Sequence, residues 1–393
     1  MRTGSEVAAG VERGLLARNQ LCDAFFAREA RRLAEACREM SERFLRGGRL
    51  LAFGNGAYAT DAQHVSVEFV HPVIVGKRAL PALDLSILFS SWLAAVVRPE
   101  DMVMGFGPPG GDPEVRTALR SAAARGAMTF ALPGVEGSYA VEAGTAHPFM
   151  HQELVEILYH TLWETVHVFF EHHQLGHEVG ESAFLYPFLG SGASGPTADL
   201  VADVARSITM KVEDDAALRA RVADEEAECI GEATFAVAER VRRGGKLILF
   251  GNGGSATDAN DWAIDCVAPP DGYRPIPAIS LALEPANVTA IANDVGTDVI
   301  FQRQLIAHAR PEDVAVAIST SGGSRNVIVA LEEARKRGLL TVALLGYDGG
   351  EIKRHGLADH FMVVQSDYIP RIQEVQASIY HIMREQLEAI VDD

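Results

Sequence analysis

Six consecutive residues, Ser319-Thr320-Ser321-Gly322-Gly323-Ser324, place hydroxyls and glycines between an apolar run, VAVAI, and a helical pattern. At a strand end that opens into a helix, this composition suits a phosphate dianion. Hydroxyls and backbone N–H groups donate, and the helix N-terminus adds positive potential. One serine there reads as an ordinary N-cap; a run of hydroxyls favours phosphate binding. A glycine turn of related chemistry occurs twice. LLAFGNGAYATDAQH centres on Gly54, Asn55 and Gly56, and LILFGNGGSATDAND centres on Gly251, Asn252, Gly253 and Gly254, 197 residues later. Gly251-x-Gly253-x-x-Ala256 also matches a dinucleotide fingerprint, a weak signal alone. No acidic residue ends a following strand at the usual distance, which argues against a nicotinamide cofactor.

The elements that must hold these turns alternate between strand and helix. In the first half, helix is expected over 11–49, 60–70, 114–125 and 151–173, with strands at 50–53, 79–85, 101–105 and 128–132. In the second, helices are expected over 199–243, 256–266, 326–336 and 372–391. Its strands are expected at 246–250, 276–281, 314–318, 341–345 and 361–364. Between the halves, GHEVGESAFLYPFLGSGASGPT is rich in Gly, Ser and Pro, as a linker would be. The expected organisation is therefore α/β: two doubly wound parallel-sheet domains of flavodoxin type in tandem, at 1–180 and 198–393, joined by 181–197. Ligands belong beyond the carboxyl ends of the strands, where both glycine turns lie.

Composition narrows the ligand class. The chain has 393 residues, 48% hydrophobic and 22% charged, which is globular. Its formal net charge of −18 opposes nucleic-acid binding, which needs basic surface. Small anions remain compatible, because backbone dipoles act at short range. Cys22, Cys37, Cys229 and Cys266 form no metal or redox spacing. No apolar segment is long enough to span a bilayer, and MRTGSEVAAGVERG lacks a signal-peptide core. A cytoplasmic protein with no membrane partner is the expectation. His167, His172, His173 and His177 are read as a solvated helix end rather than a metal patch.

Four segments in order, FGNGGSATDA, AIANDVGTDVIFQRQ, AISTSGGSRN and RIQEVQASIYH, resemble the sugar isomerase (SIS) domain over nearly all of residues 200–393. Within that family they look most like the sedoheptulose-7-phosphate (phosphoheptose) isomerases. The first half resembles the same family at GNGAYATDAQHVSVE and HQELVEILYH. The resemblance implies an aldose–ketose isomerase that works on a sugar phosphate through an enediol. It also implies zinc or a similar divalent metal, and a homo-oligomer, here a dimer of two-domain chains. The family's metal and acid–base set maps to His64, Glu68, Gln152 and His160 in the first half. Its second-half counterparts are Asp261, Asp265, Gln373 and His381. The family's substrate set maps to Asn252, Gly253, Gly254, Asn293, Asp294, Ser319, Thr320, Ser321, Ser324 and Gln373.

The two halves depart from the family in opposite ways. The first keeps the His and Glu but carries Gly107-Pro108-Pro109-Gly110-Gly111 where the hydroxyl loop should be. The second keeps the hydroxyl loop but has Asp261 and Asp265 for the His and Glu. One working site shared between the halves follows as an expectation, with Glu68 moving the proton and His160 or His381 serving the oxygens. A Gln and a His eight apart on one helix are separated by about 12 Å along its axis. They do not readily bind one ion together, which keeps His381 as a candidate partner for Glu68. The rival expectation is a non-catalytic phosphosugar sensor, because fold alone does not settle function.

Overall fold

The computed structural model describes residues 4–72, 77–175 and 197–391. Two compact units divide the chain: residues 20–214 form the first, and residues 1–19 with 215–393 form the second. This division differs from a cut at 180 and 198, and the cores show why. Helix α1 (Gly4–Leu45) places Val7, Val11 and Leu15 in a cluster with Leu218, Ile230 and Ile382. Its later residues Cys22, Phe26 and Leu33 cluster instead with Phe69 and Leu158. Helix α6 (Thr197–Glu225) divides likewise, with Val204 and Ile208 in the first core and Leu218 and Val222 in the second. Apart from Thr197, which begins α6, the expected linker lies outside the described residues.

The first unit continues with β1 (Leu50–Gly54), α2 (Ala59–Val70), β2 (Ala82–Asp84), α3 (Phe89–Val96), β3 (Met102–Phe106), α4 (Pro113–Ala123), β4 (Met128–Leu132), β5 (Tyr139–Ala140) and α5 (Pro148–Leu175). Its sheet is parallel, in the order β2-β1-β3-β4-β5. The second unit has α7 (Ala227–Arg242), β6 (Leu247–Phe250), α8 (Gly254–Val267), β7 (Ala278–Ser280), α9 (Pro285–Asp294), α10 (Ile300–His308), β8 (Val314–Ser319), α11 (Arg325–Lys336), β9 (Leu340–Gly346), α12 (Gly350–Arg354), β10 (His360–Val364) and α13 (Ile369–Val391). Its sheet, β7-β6-β8-β9-β10, is also parallel and repeats the same 2-1-3-4-5 order. That is the flavodoxin-type order, whose switch point lies between the first and third strands.

Both faces of each sheet are covered, as apolar parallel strands require. Along β1, Leu50 and Ala52 enter one core while Leu51 and Phe53 enter the opposite one. Along β6, Leu247 and Leu249 alternate with Ile248 and Phe250 in the same way. The internal repeat extends to the approach of β1 and β6. A Cβ on Gly48 would stand 2.2 Å from the carbonyl oxygen of Glu100, and one on Gly245 would stand 2.2 Å from that of Glu312. The next residue then anchors the strand: Arg49 N and Lys246 N each donate at 3.0 Å to Oδ1 of a buried aspartate, Asp101 and Asp313. The matching segments Arg46-Gly47-Gly48-Arg49 and Arg243-Gly244-Gly245-Lys246 thus answer a packing requirement.

The structure adds α3, α9, α10, α12 and β5 to the expected elements. These are short segments, where end effects outweigh periodicity. Among the described residues no helix is long and apolar enough to cross a membrane.

Candidate active site

In the second unit, β6 and β8 flank the switch point, and their carboxyl ends carry the glycine turn and the hydroxyl loop. Gly251 leaves no room for a side chain: a Cβ there would lie 2.4 Å from the Ser255 carbonyl oxygen. Gly253 has φ of 57°, and α8 starts at the next residue. The Asn252 side chain exchanges two hydrogen bonds with Asn326, at 2.9 and 2.8 Å, tying the turn to the first turn of α11. Within the loop, Ser319 Oγ accepts from Gly322 N at 3.1 Å and Ser321 Oγ accepts from Gly323 N at 3.2 Å. Ser319 is buried, Ser321 is exposed, and Thr320 and Ser324 are half-buried. Ser324 is the N-cap of α11 and its side chain makes no capping bond. Asn293 and Asp294 are exposed at the end of α9, with Asn293 Nδ2 donating to Asp294 Oδ1 at 2.7 Å. The turn that follows them packs on α11.

Below this loop, α8 and α13 bring Asp261, Asp265 and His381 together, all buried. His381 Nε2 lies 3.4 Å from Asp261 Oδ2 and 3.2 Å from Asp265 Oδ2. Tyr380 donates its hydroxyl to Asp261 Oδ2 at 2.8 Å, and Arg384 Nε donates to the Asp265 carbonyl at 3.1 Å. Burial, then the Asp261 charge, hold the Asp265 carboxyl well above the ordinary carboxylate range, with His381 opposing the shift. Gln373 is buried two turns earlier on α13.

In the first unit, α2 supplies His64 and Glu68 from one face, and α5 supplies Gln152 and His160. His64 and Glu68 are only 3% and 1% exposed, and His160 is fully buried. The Nε2 atoms of His64 and His160 lie 3.3 Å apart, and Glu68 Oε1 is 3.9 Å from His64 Nε2. Gln152 Nε2 donates to Thr60 Oγ1 and Asp61 Oδ2, each at 3.4 Å, on the first turn of α2. Glu156 was not marked by the sequence reading. Its carboxylate and the His64 and His160 nitrogens lie within 4.8 Å of one another. The loop after β3 differs in kind from the hydroxyl loop. Gly111 N closes it on the Pro108 carbonyl at 2.7 Å, and Asp112 Oδ1 caps α4 by accepting from Glu114 N and Val115 N at 2.7 and 3.0 Å. Asp112 Oδ2 also accepts from Asn55 Nδ2 at 3.0 Å. His151 Nε2 reaches the Gly107 carbonyl at 3.2 Å, and burial lowers its pKa to about 4.

A family model described as SIS domain matches residues 212–346, almost all of it in the second unit. The phosphoheptose isomerase of Solidesulfovibrio magneticus is 43% identical over 179 residues, 45% of this chain and 86% of that protein. That of Geobacter sp. strain M21 is 47% identical over 160 residues, 40% and 82% of the two chains. The chain belongs to the SIS-domain family. Solved structures extend the likeness of fold over both units. The C-terminal domain of glucosamine-fructose-6-phosphate aminotransferase from Francisella tularensis covers 98% of this chain and 96% of its own, with TM-score 0.59 and 10% identity. Tagatose-6-phosphate ketose/aldose isomerase from Escherichia coli covers 98% and 94%, with TM-score 0.53 and 14% identity.

The residue pattern located the glycine turn and the hydroxyl loop, and the SIS resemblance the helix pairs, but neither located their partners. Asn326, Tyr380, Arg384 and Asp112 act through contacts between residues distant in sequence. Glu156 carried a signal, four residues before His160 on one helix face. His167 corrects an expectation: it is buried, its ring nitrogens 2.9 and 3.0 Å from the carbonyls of Trp163 and Arg78, so it belongs to no solvated helix end. His172, His173 and His177 have no described side chains.

Proposed function

We propose that this SIS protein is an aldose–ketose isomerase acting on a sugar phosphate of the sedoheptulose 7-phosphate type, through an enediol. The observation that carries the reading is the buried cluster of Glu68, His64 and His160 in the first unit. A buried carboxylate beside an imidazole is equipped to move a carbon-bound proton. Glu68 would transfer it between C1 and C2, and His160 would serve the two oxygens. The place of His381 between Asp261 and Asp265 favours His160 for that role. In the second unit, Ser319, Thr320, Ser321 and Ser324 would hold the phosphate with the N–H groups of the Asn252–Gly254 turn. Asn293, Asp294 and Gln373 would take sugar hydroxyls. Remote binding of this kind contributes orientation at the reacting carbons. On this reading the two incomplete sets serve one activity.

Two imidazole nitrogens 3.3 Å apart beside a buried carboxylate also fit a divalent cation. His64 and His160 would hold it with Glu68, while Gln152, eight residues before His160, is engaged with Thr60 and Asp61 instead. A zinc or similar ion bound there would polarise the carbonyl and stabilise charge on the oxygens. The competing reading, a phosphosugar sensor, draws on Asp261 and Asp265 and on the proline-containing first-unit loop. A panel of ketose and aldose phosphates in D2O separates the two. An isomerase places deuterium at C1 or C2 and yields the partner sugar; saturable binding with neither exchange nor product supports the sensor.

A further inference from the structure

Helix α5 presents Gln152, Glu156 and His160 at successive four-residue intervals, on one face. Gln152 reaches the first turn of α2, at Thr60 and Asp61, while His160 meets His64 one turn further on. Glu156 stands between them on α5, with its carboxylate within 4.8 Å of the His64 and His160 nitrogens. Donors of one ion at about 2.1 Å in a tetrahedron stand about 3.4 Å apart; the two imidazole nitrogens already stand at 3.3 Å. The charges also match. Glu156 is 4% exposed and Glu68 is 1% exposed. Two buried carboxylates with two neutral imidazoles neutralise a divalent cation, whereas an amide such as Gln152 contributes no charge. In the second unit the position between Gln373 and His381 that corresponds to Glu156 is Ala377, so the carboxylate is private to the first unit.

We propose that Glu156 is a ligand, with His64 and His160, of a divalent cation of borderline softness such as Zn2+ or Co2+. The inference rests on reading this cluster as a metal site, and not on which sugar is turned over.

The test uses the full chain, with Zn2+ affinity measured against a chromophoric chelator and the visible absorption of the Co2+ form recorded. Glu156→Gln is expected to weaken Zn2+ binding by at least about ten-fold and to alter the Co2+ bands, and Gln152→Ala to do less of both. Glu156→Asp, which keeps the charge on a shorter arm, should fall between wild type and Glu156→Gln, and it carries the test if Glu156→Gln does not fold. Wild-type affinity and an unchanged Co2+ spectrum in both Glu156 variants would overturn the proposal, as would a wild-type chain that binds neither ion. Cation binding that behaves as expected in a chain that isomerises no sugar phosphate would leave Glu156 as a ligand and remove the isomerase reading alone.

Discussion

The two units share a sheet order, a glycine turn and a strand anchor, yet each lacks a different part of the residue set that the SIS resemblance implies. At the start of α11 the second unit offers Ser324, a neutral N-cap without a side-chain bond, after a loop of hydroxyls. At the start of α4 the first unit places the Asp112 carboxylate on the helix N-terminus, after a loop with two prolines. A negative charge then occupies the position that would attract a phosphate, and the prolines remove N–H donors. Between the helices behind the turns the contrast reverses. The first unit holds His64, Glu68, Glu156 and His160, and the second holds Asp261, Asp265, Ala377 and His381, with Tyr380 donating to Asp261. On the proposed reading, one copy would serve proton transfer and the other phosphate recognition.

The largest effect expected from breaking this contrast is at the hydroxyl loop. Ser319→Ala with Ser321→Ala should weaken sugar-phosphate binding by about 3–6 kcal/mol, taking 1.5–3 for each bond to a charged group. Calorimetry checks this. Exchanging Pro108 and Pro109 for serine should gain little, because Asp112 still repels the anion.

The units should also respond oppositely to acid. His151 binds its proton less readily when folded, at about 4 against 6.5. The unfolded chain therefore takes up more protons between those values, and stability falls as pH drops through 6.5 toward 4, by on the order of 3 kcal/mol. Asp265 has the opposite sign. Its folded carboxyl holds a proton more tightly than the ordinary value of 3.8, so its contribution is present below that pH and lost as pH rises above it. Thermal melts of His151→Gln should lose the first dependence, and those of Asp265→Asn the second. An unchanged pH profile in either variant would contradict the corresponding assignment.

The smallest effect concerns the thiols. Burial pushes Cys266 up to about 12 and raises Cys37 further still, whereas Cys229 is half-buried and rises to about 11. Thiol reagents at neutral pH should label Cys229 first, and slowly, with Cys37 and Cys266 protected until unfolding. Mass spectrometry of the labelled chain reads this directly.

Much of this architecture was legible in the sequence because it is local. A glycine turn between an apolar strand and a helix announces itself, and His64 and Glu68 share a helix face by spacing alone. What was not legible depends on which helices meet. The contact of α2 with α5 decides that Glu156 joins His64 and His160, and the contact of α8 with α13 decides that Tyr380 closes on Asp261. The allocation of α1 and α6 to two cores was equally hidden, because each helix is continuous and apolar on both sides of its division.

The assignment of proton transfer to the first unit rests on Glu68 and not on Asp265, its counterpart in the second. The direct measurement is the rate of deuterium incorporation from D2O into the ketose and aldose phosphates, compared in wild type, Glu68→Gln and Asp265→Asn. The expected result is exchange in wild type and Asp265→Asn at similar rates, and a loss of about 10²–10⁴-fold in Glu68→Gln. Wild-type exchange in Glu68→Gln, or its disappearance in a folded Asp265→Asn, would contradict the account.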